Sequence, residues 1–135
     1  MNRNLARILS VALAFTGFAI TASAVPAKPK VVGLLFYADW CGSCKVLEPK
    51  LDAIKKDFAN QPILFTRVDM TDDFTKSQSA LFAAQIGLTD AYTENAPKTG
   101  FMLLIDSSSG QVLGKLTKTQ TEEELKAEIT KVLTG

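Results

Sequence analysis

The chain contains no histidine and only two cysteines among its 135 residues. A structural zinc site uses about four ligands, so carboxylates or a second chain would have to complete one here. Charge is nearly balanced as well, with 15 lysines and arginines against 14 aspartates and glutamates. Such a balance does not favour a nucleic acid or an anionic membrane surface as partner. We therefore predict no nucleic-acid partner, no resident metal and no cofactor.

Only the amino terminus carries a long uncharged run. Arg3 and Arg7 precede the apolar segment ILSVALAFTGFAI, and the small-residue segment TASA follows it. A basic start, a short apolar middle and a small-residue exit are typical of a secretory signal peptide. We predict that residues 1–24 are a signal peptide cleaved after Ala24, which makes the protein exported and, we expect, periplasmic. The alternative is an uncleaved membrane anchor, because the uncharged residues 8–24 approach the shortest length that spans a bilayer.

The remainder of the chain is large enough for one domain. Cleavage removes two arginines, leaving 13 basic groups against 14 acidic groups and a net charge of −1. About 111 residues remain, which is sufficient for a single core without additional cross-links. We predict a flexible leader at residues 25–30, where two prolines and two lysines lie. Residues 31–135 are then a single domain, which we expect to be monomeric.

Apolar patterning after residue 30 predicts strands alternating with helices. VVGLLFYAD (residues 31–39) is a short run of β-prone residues that fits a strand buried on both faces. Helical spacing follows over residues 41–60, with Pro49 inside and a kink expected there. A second helical pattern covers residues 72–87. The apolar stripe predicted for that second helix consists of Phe74, Leu81, Phe82 and Ile86.

The second half of the chain adds a hairpin and a final helix. Three further strand patterns lie at residues 62–70, 101–106 and 111–118. The turn SSSG joins the last two as a hairpin, and residues 88–98 are predicted to be polar and irregular. The final helix begins at Thr121, with Glu124 completing a capping box. The order β-α-β-α-β-β-α predicts an α/β fold, a mixed sheet with helices on both faces.

The two cysteines, Cys41 and Cys44, lie where the first strand gives way to the first helix. Unpaired N–H groups and the helix dipole favour a thiolate at Cys41, because such positions lower the pKa of a cysteine to roughly 3.5–7.5. Cys44 lies one turn deeper, less exposed and within bonding distance. One sulfur can therefore attack a disulfide, and the other can resolve the mixed disulfide. A structural bridge is disfavoured because so short a loop gains little closure entropy, while Cu(I) held by two thiolates stays open.

The segment FYADWCGSCKVLEPKL, residues 36–51, resembles the active-site segment of the thioredoxin family, usually W-C-G-P-C-K after a buried strand. The matching positions are Trp40, Cys41, Gly42, Cys44 and Lys45. The resemblance extends over residues 31–133, because the order of elements also matches. It implies a thioredoxin-like fold in which Cys41 is the nucleophile and Cys44 the resolving thiol. Trp40 would form part of the surface that meets the partner protein.

Three departures from the family pattern lie close to the cysteines. Ser43 replaces the proline between them, and Leu35 stands where the family carries a buried aspartate thought to assist proton transfer. Arg67, at the position of a common family lysine, lacks that acidic neighbour. Gly100, preceded by Thr99, stands in place of the family's cis-proline, in a loop where the resemblance places substrate backbone. We expect a trans bond there, since a non-proline cis bond costs about 2.5–4 kcal/mol.

The fourth departure is the segment 88–98, which is longer than the usual family connection. It feeds into Gly100, so we expect it near the cysteines, with Tyr92 as a candidate for partner selectivity. The residues predicted to bind substrate are thus Trp40, Gly42, Ser43, Tyr92, Thr99 and Gly100.

The resemblance implies a thiol:disulfide oxidoreductase acting on protein thiols and disulfides. Gly42 and Lys45 follow the reducing family pattern, so we favour a reductant over an oxidant. A reductant outside the cytosol needs electrons relayed from a membrane partner. The rival hypotheses are a thioredoxin-fold Cu(I) carrier, a client-specific adaptor and a redox-silent scaffold.

Overall fold

The computed structural model describes residues 27–135. The predicted signal peptide, residues 1–24, lies outside the described residues, as does the start of the predicted leader. Lys30, at the end of that leader, donates a backbone hydrogen bond to the carbonyl of Pro62 (2.7 Å) and a side-chain hydrogen bond to that of Leu133 (3.0 Å). Within residues 27–135, no helix combines the length and the apolar character needed to cross a membrane. The division into signal peptide, leader and domain stays a prediction.

One mixed sheet of four strands forms the centre of the domain. The strands are β1 (Val31–Tyr37), β2 (Ile63–Asp69), β3 (Phe101–Asp106) and β4 (Val112–Thr117). Their order across the sheet is β2-β1-β3-β4, with β1 parallel to β2 and antiparallel to β3. β3 and β4 are antiparallel neighbours. The predicted mixed sheet and its hairpin are confirmed.

Four helices connect and flank these strands. They are α1 (Gly42–Lys55), α2 (Asp73–Gln85), α3 (Thr89–Asn95) and α4 (Glu122–Thr134). Pro49 lies inside α1, and a short 3₁₀ turn (Lys56–Phe58) follows that helix. α4 begins with the predicted capping box, in which the Glu124 N–H donates to the Thr121 hydroxyl and the Glu124 carboxylate accepts from the Thr121 N–H. The predicted α/β class is confirmed.

Helix α3 corrects the prediction of an irregular segment at residues 88–98. Its Ala91 is buried against the core, and the Asn95 side-chain amide donates to the Ala91 carbonyl at 2.8 Å. The Ala96 N–H donates to the Tyr92 carbonyl, also at 2.8 Å, at the end of the helix. A helix of two turns with so few apolar residues shows no recognisable apolar stripe, which is why the sequence pattern missed it.

β1 separates two apolar clusters, one on each face of the sheet, and is buried on both faces as predicted. Leu34 and Phe36 belong to the cluster that contains residues of β2, α3 and both cysteines. Val31 and Leu35 belong to the cluster formed with α1 and α4. Alternate side chains of a strand point to opposite faces, and both cysteines belong to the cluster on the face of Leu34 and Phe36.

The apolar stripe predicted for α2 is wrong for three of its four residues; the fourth, Ile86, packs against the core cluster that contains the cysteines. Phe74 and Leu81 are 72% and 67% exposed, and Phe82 is exposed as well. The side chains of α2 that are buried are instead Ser79 and Ala83. The Ser79 hydroxyl accepts from the Asp69 N–H (2.7 Å) and donates to the Asp69 carbonyl (3.0 Å). Small side chains and this pair of hydrogen bonds hold α2 against the sheet, which leaves its large apolar side chains outside.

Candidate functional site

Cys41 and Cys44 form a disulfide at the amino terminus of α1, with their Cα atoms 5.3 Å apart. Cys41 is the residue that caps this helix, and its Sγ accepts a hydrogen bond from the Cys44 N–H at 3.2 Å. The predicted place of Cys41 at the helix amino terminus is therefore confirmed. After reduction, that N–H group and the helix dipole would stabilise a thiolate at Cys41.

The two sulfurs differ in their access to solvent. Cys41 is 5% exposed and Cys44 is fully buried, which confirms that Cys44 is the less accessible of the two. The Cys44 Sγ lies 3.6 Å from the Phe36 carbonyl oxygen. A disulfide of another protein would therefore meet Cys41 before Cys44. This asymmetry is what a two-step exchange requires.

Gly100 lies against the disulfide at the start of β3. Its φ is +90°, and a Cβ at this position would lie 2.6 Å from the Ser43 Cβ and 3.4 Å from the Cys41 Sγ. Its N–H donates to the Phe36 carbonyl at 2.9 Å. Among the described residues the cis bond is Ala96–Pro97, so the link from Thr99 to Gly100 is trans, as predicted. The structure thus brings the Thr99–Gly100 loop to the cysteines.

Trp40 presents its ring to solvent next to Cys41. Trp40 is 60% exposed as a residue, and its indole N–H donates to the Thr71 carbonyl at 3.1 Å. The Asp39 N–H also donates to the Thr71 hydroxyl at 3.0 Å, which fixes the segment before α1 to the end of β2. Gly42 is exposed at the start of the helix. An exposed ring held by its polar edge offers an apolar surface to a partner protein.

Tyr92 lies on α3 and packs against the cluster that contains both cysteines. Its ring stacks on Phe36, with centroids 6.4 Å apart, and its hydroxyl donates to the Lys76 carbonyl at 2.9 Å. Burial raises the pKa of this phenol. The hydroxyl therefore joins α3 to α2 in the structure, and a contribution of Tyr92 to partner selectivity stays a prediction.

Glu48 is a residue that the sequence interpretation missed. Leu35 is buried, as expected for β1, but Arg67 has an acidic partner from α1, since its Nη1 lies 3.1 Å from the Glu48 Oε1. Glu48 follows Cys44 by four residues, so both lie on the same side of the helix one turn apart. This four-residue spacing was the sequence signal that could have identified Glu48. Its pairing with Arg67 on β2 can be recognised only in the folded chain.

A second set of contacts extends this ion pair toward the end of β1. The Arg67 guanidinium lies over the Tyr37 ring, 4.6 Å from its centroid. The Tyr37 hydroxyl donates to the Asp39 carboxylate at 2.8 Å. This hydrogen bond is the main reason that the pKa of Tyr37 is raised; burial and the charges of Asp39 and Glu48 add to the effect, and Arg67 opposes it.

A cavity of about 280 Å³ lies between α1 and the sheet beside this ion pair. Its lining combines the apolar side chains Leu35, Phe65 and Met102 with the charged side chains Glu48, Lys55 and Arg67. Residues 27–135 contain no group of three or more histidine, cysteine, aspartate or glutamate side chains that is suited to hold a metal ion.

Comparison with known proteins finds similarity over the cysteine segment. A family model described as Thioredoxin matches residues 20–82. Thioredoxin-T of Drosophila melanogaster is 40% identical over 50 residues, which cover 36% of this chain and 32% of that protein. Protein disulfide isomerase-like 1-1 of Arabidopsis thaliana is 28% identical over 109 residues, covering 74% of this chain and 22% of that protein. The chain thus spans about a third or less of the length of these curated relatives.

A solved structure shares the fold. The solution structure of oxidised thioredoxin from Plasmodium falciparum superimposes with a TM-score of 0.51 at 21% sequence identity. The match covers 78% of this chain and 83% of that one. At this identity the similarity shows a common arrangement of strands and helices.

Proposed function

Because this chain belongs to the thioredoxin family, we propose that it is a thiol:disulfide oxidoreductase that exchanges its Cys41–Cys44 pair with disulfides of other proteins. The observation that carries this proposal is the position of Cys41 as the cap of α1, with the buried Cys44 at a Cα distance of 5.3 Å. A helix amino terminus stabilises the attacking thiolate, and a second sulfur within bonding distance releases what the first has captured.

The reaction proceeds in two steps in the reducing direction. The Cys41 thiolate attacks one sulfur of a client disulfide; a mixed disulfide forms, the client bond breaks and one client sulfur leaves as a thiolate. The Cys44 thiolate then attacks the Cys41 Sγ, which forms the intramolecular disulfide and releases the second client thiolate. Two electrons pass from the protein to the client, and both client thiolates take protons from solvent. In the oxidising direction the same steps run in reverse.

We infer that the protein acts outside the cytosol, as a periplasmic reductant. The amino-terminal pattern of residues 1–24 supports export, and Gly42 and Lys45 agree with the reducing members of the family. Electrons would come from a membrane partner that reduces the Cys41–Cys44 disulfide, and the protein would act as a monomer. Mass spectrometry of the cellular protein tests the location: an amino terminus at Val25 is expected, whereas retention of Met1 in the membrane fraction would contradict cleavage.

The client would contact the exposed Trp40 ring and the loop that contains Thr99 and Gly100. Trp40 supports this because its ring is held beside Cys41 by one hydrogen bond and is otherwise open. Gly100 supports it because a residue without a side chain allows another backbone to approach the sulfurs closely. Ser43 lies under the same loop, so a change at either position alters the shape offered to the client.

Trapping of the mixed disulfide tests the exchange reaction. A Cys44→Ala variant retains the attacking sulfur but lacks the resolving one, so covalent adducts with client proteins are expected on non-reducing gels. The matched control is Cys41→Ala, which keeps only the buried sulfur and is expected to give none. Failure of Cys44→Ala to form an adduct, where a known exchanger forms one, would contradict the proposal. Stoichiometric Cu(I) binding without reduction of insulin disulfides would favour the carrier hypothesis instead.

A further inference from the structure

Strand β2 has a neighbouring strand on one side only in the described part of the chain. It pairs with β1, and the strand order places it at one end of the sheet. Edge strands expose unpaired N–H and C=O groups, to which another chain can add a strand unless prolines, charges or a covering segment prevent it. β2 is seven residues long and contains no proline. Its outer side is therefore suited to receive a further strand.

Two residues of β2 direct their backbone groups to this outer side. The Met70 N–H, just after the strand, donates to the Tyr37 carbonyl of β1 at 2.7 Å, so the even-numbered residues of β2 face β1 with their backbone groups. The N–H and C=O groups of Phe65 and Arg67 consequently point away from the sheet. No hydrogen bond among residues 27–135 engages these groups.

Helix α2 covers the outer side only at the end of the strand. The outward N–H and C=O groups of Asp69 are both bonded to the Ser79 hydroxyl, at 2.7 and 3.0 Å, so α2 lies over β2 there. Helix α3 contacts α2 on the flank toward the centre of the sheet, since Tyr92, which stacks on a β1 side chain, donates to the Lys76 carbonyl at 2.9 Å. Phe82 lies six residues beyond Lys76, about 120° around the helix. It therefore lies on the flank toward the outer side of β2.

Two exposed apolar side chains border the unpaired backbone groups. Leu64 shares its face of the sheet with Val68, which belongs to the cluster beneath α2, and Leu64 is 42% exposed. Phe82 is 37% exposed on the adjacent flank of α2. We refer to these two side chains, together with the outward backbone groups of Phe65 and Arg67, as the β2 edge. It combines free hydrogen-bonding groups with apolar surface.

The amino-terminal segment of the chain leads away from the β2 edge. The Lys30 carbonyl accepts from the Ser107 N–H at 3.0 Å, and the Pro29 carbonyl accepts from the Ser107 hydroxyl, so these residues lie beside the end of β3. Cleavage after Ala24 would leave two residues before Ala27, a length of about 7 Å. In the processed chain the β2 edge is thus open to another molecule.

A second copy of the chain matches the β2 edge because the free groups complement one another. In an antiparallel pair, every second pair of opposing residues exchanges two hydrogen bonds. A twofold axis at Thr66 places Phe65 opposite Arg67 of the second copy, so every outward N–H and C=O group of both residues gains a partner. Leu64 then lies opposite Val68 of the second copy, on the face that α2 covers.

The charges of β2 do not oppose this pairing. Arg67, the cation of the strand, is already paired with Glu48 at 3.1 Å and would lie opposite the aromatic ring of Phe65. Asp69, the acid of the strand, would lie opposite Ile63 of the second copy. Like charges directly opposite each other destabilise a strand pair, and this register contains no such pair.

We propose that two copies of this chain associate through the β2 edge into a twofold dimer, which joins the two four-stranded sheets into one. Such a contact buries less than about 1,200 Å² in total, the range of weak complexes, so we expect a dissociation constant on the order of 10–100 µM. The dilute protein is then the monomer expected from the sequence. The antiparallel arrangement places the two cysteine pairs at opposite ends of the joined sheet, and exchange requires only one copy.

Sedimentation equilibrium of the purified protein tests the association. The mean mass is expected to rise from one chain to two between about 1 µM and 1 mM. Leu64→Lys is expected to raise the dissociation constant by about tenfold or more, because the dimer would bury an unpaired charge. Val112→Lys is the matched control, since Val112 is also 42% exposed and lies on β4, the other edge strand. It is expected to leave the dissociation constant unchanged.

Cross-linking tests the register. Thr66→Cys, combined with Cys41→Ala and Cys44→Ala to remove the other thiols, places the two new sulfurs across the twofold axis. Opposing Cα atoms are about 4.5 Å apart at such a position, which is within the range of a disulfide. Oxidation at about 100 µM, near the expected dissociation constant, should therefore link the copies covalently. Leu64→Cys in the same background is the control, because its two copies would be about 13 Å apart; no link is expected.

Four results would overturn the dimer. They are a single-chain mass at 1 mM, equal weakening by Leu64→Lys and Val112→Lys, equal cross-linking at both cysteine positions, and a complex with a different protein in place of the second copy. Amide hydrogen exchange adds a direct readout, since Phe65 and Arg67 should gain protection as concentration rises. Protection of these amides in a chain that stays monomeric and retains Met1 would instead identify the amino-terminal segment as the occupant. The proposed exchange function would stand in every case, because it does not depend on the β2 edge.

Discussion

Gly100 lies so close to Ser43 that a Cβ at position 100 would be 2.6 Å from the Ser43 Cβ. Outside its own residue and its two neighbours in the chain, a real Cβ atom essentially never lies within 3.0 Å of another heavy atom. The backbone at Gly100 also has φ +90°, a conformation that residues with a side chain rarely adopt. Space and backbone conformation therefore both require glycine, and they do so at the point where the loop before β3 meets the disulfide.

We expect Gly100→Ala to destabilise the oxidised protein by about 1–3 kcal/mol, the range for a residue forced into a sparsely populated conformation. Urea unfolding provides the measurement. Gly42→Ala is the matched control, because a Cβ there meets nothing within 4 Å, and we expect it to change the free energy of unfolding by no more than about 0.5 kcal/mol. Equal stability of the Gly100→Ala and unmodified proteins would contradict the close packing.

The double change Ser43→Gly with Gly100→Ala separates the two causes. It removes the Ser43 Cβ but leaves the positive φ, so its stability should lie between those of Gly100→Ala and Ser43→Gly alone. A double-mutant cycle gives the coupling free energy, which we expect to lie within the 0.5–3 kcal/mol typical of residues in contact. Simple additivity of the two changes would show that the Cβ contact contributes nothing.

The exposed side chains of α2 provide a second test of the structure. Phe74→Ser and Leu81→Ser should each change the free energy of unfolding by no more than about 0.5 kcal/mol, because both side chains remain in solvent after folding. Leu51→Ala, in the core between α1 and the sheet, should cost about 2–5 kcal/mol. Chemical denaturation of the three variants gives the comparison. A cost for Phe74→Ser as large as that for Leu51→Ala would mean that α2 packs through its apolar stripe after all.

The contrast between β1 and α2 shows which features of this fold can be predicted from sequence. β1 and the capping box at Thr121 were predicted correctly because a continuous apolar run and a four-residue motif are local signals. The position of α2 along the chain was predicted correctly, but the face that it buries was not. Its buried face is selected by the hydrogen bonds of Ser79 to Asp69, and a contact with another element has no signature in helical spacing.

At the cysteine site, too, local features could be predicted from the sequence and contacts between elements could not. The cysteine pair lies at the start of a helix because the strand-to-helix transition is visible in the sequence, and Gly100 was placed by its family alignment. The Glu48–Arg67 pair was not predicted, because it joins α1 to β2 and exists only once these elements pack. Family resemblance drew attention to the missing acid at Leu35, whereas the acidic partner that Arg67 finds in Glu48 is visible only in the fold.

Selective alkylation of the reduced protein tests the difference between the two sulfurs. We expect iodoacetamide to modify Cys41 in preference to Cys44, because Cys44 is fully buried and the Cys44 N–H donates to the Cys41 Sγ. As pH rises, the alkylation rate at Cys41 should reach half of its plateau at a pH below about 8.5, the ordinary pKa of a cysteine. Mass spectrometry after digestion assigns the modified residue, with Cys44→Ser as the control. Modification of Cys41 no faster than that of a cysteine in a short peptide would contradict an activated thiolate.

The hairpin between β3 and β4 makes stability depend on pH in a predictable direction. The Asp106 carboxylate accepts hydrogen bonds from the hydroxyl and N–H groups of Ser108 and Ser109, and these bonds, the Ser108 hydroxyl foremost, hold its pKa well below the ordinary 3.8. When folding lowers the pKa of a carboxyl group, its charged form stabilises the native state. This stabilisation is complete above the pKa of the unfolded state and is lost as pH falls toward the pKa of the folded state. Asp106→Asn keeps an acceptor oxygen but removes the charge. The variant should therefore be less stable than the unmodified protein at neutral pH, and urea unfolding should show that difference shrinking from about pH 4 downward. A difference that stays constant down to about pH 2 would mean that the charge of Asp106 does not contribute to the turn.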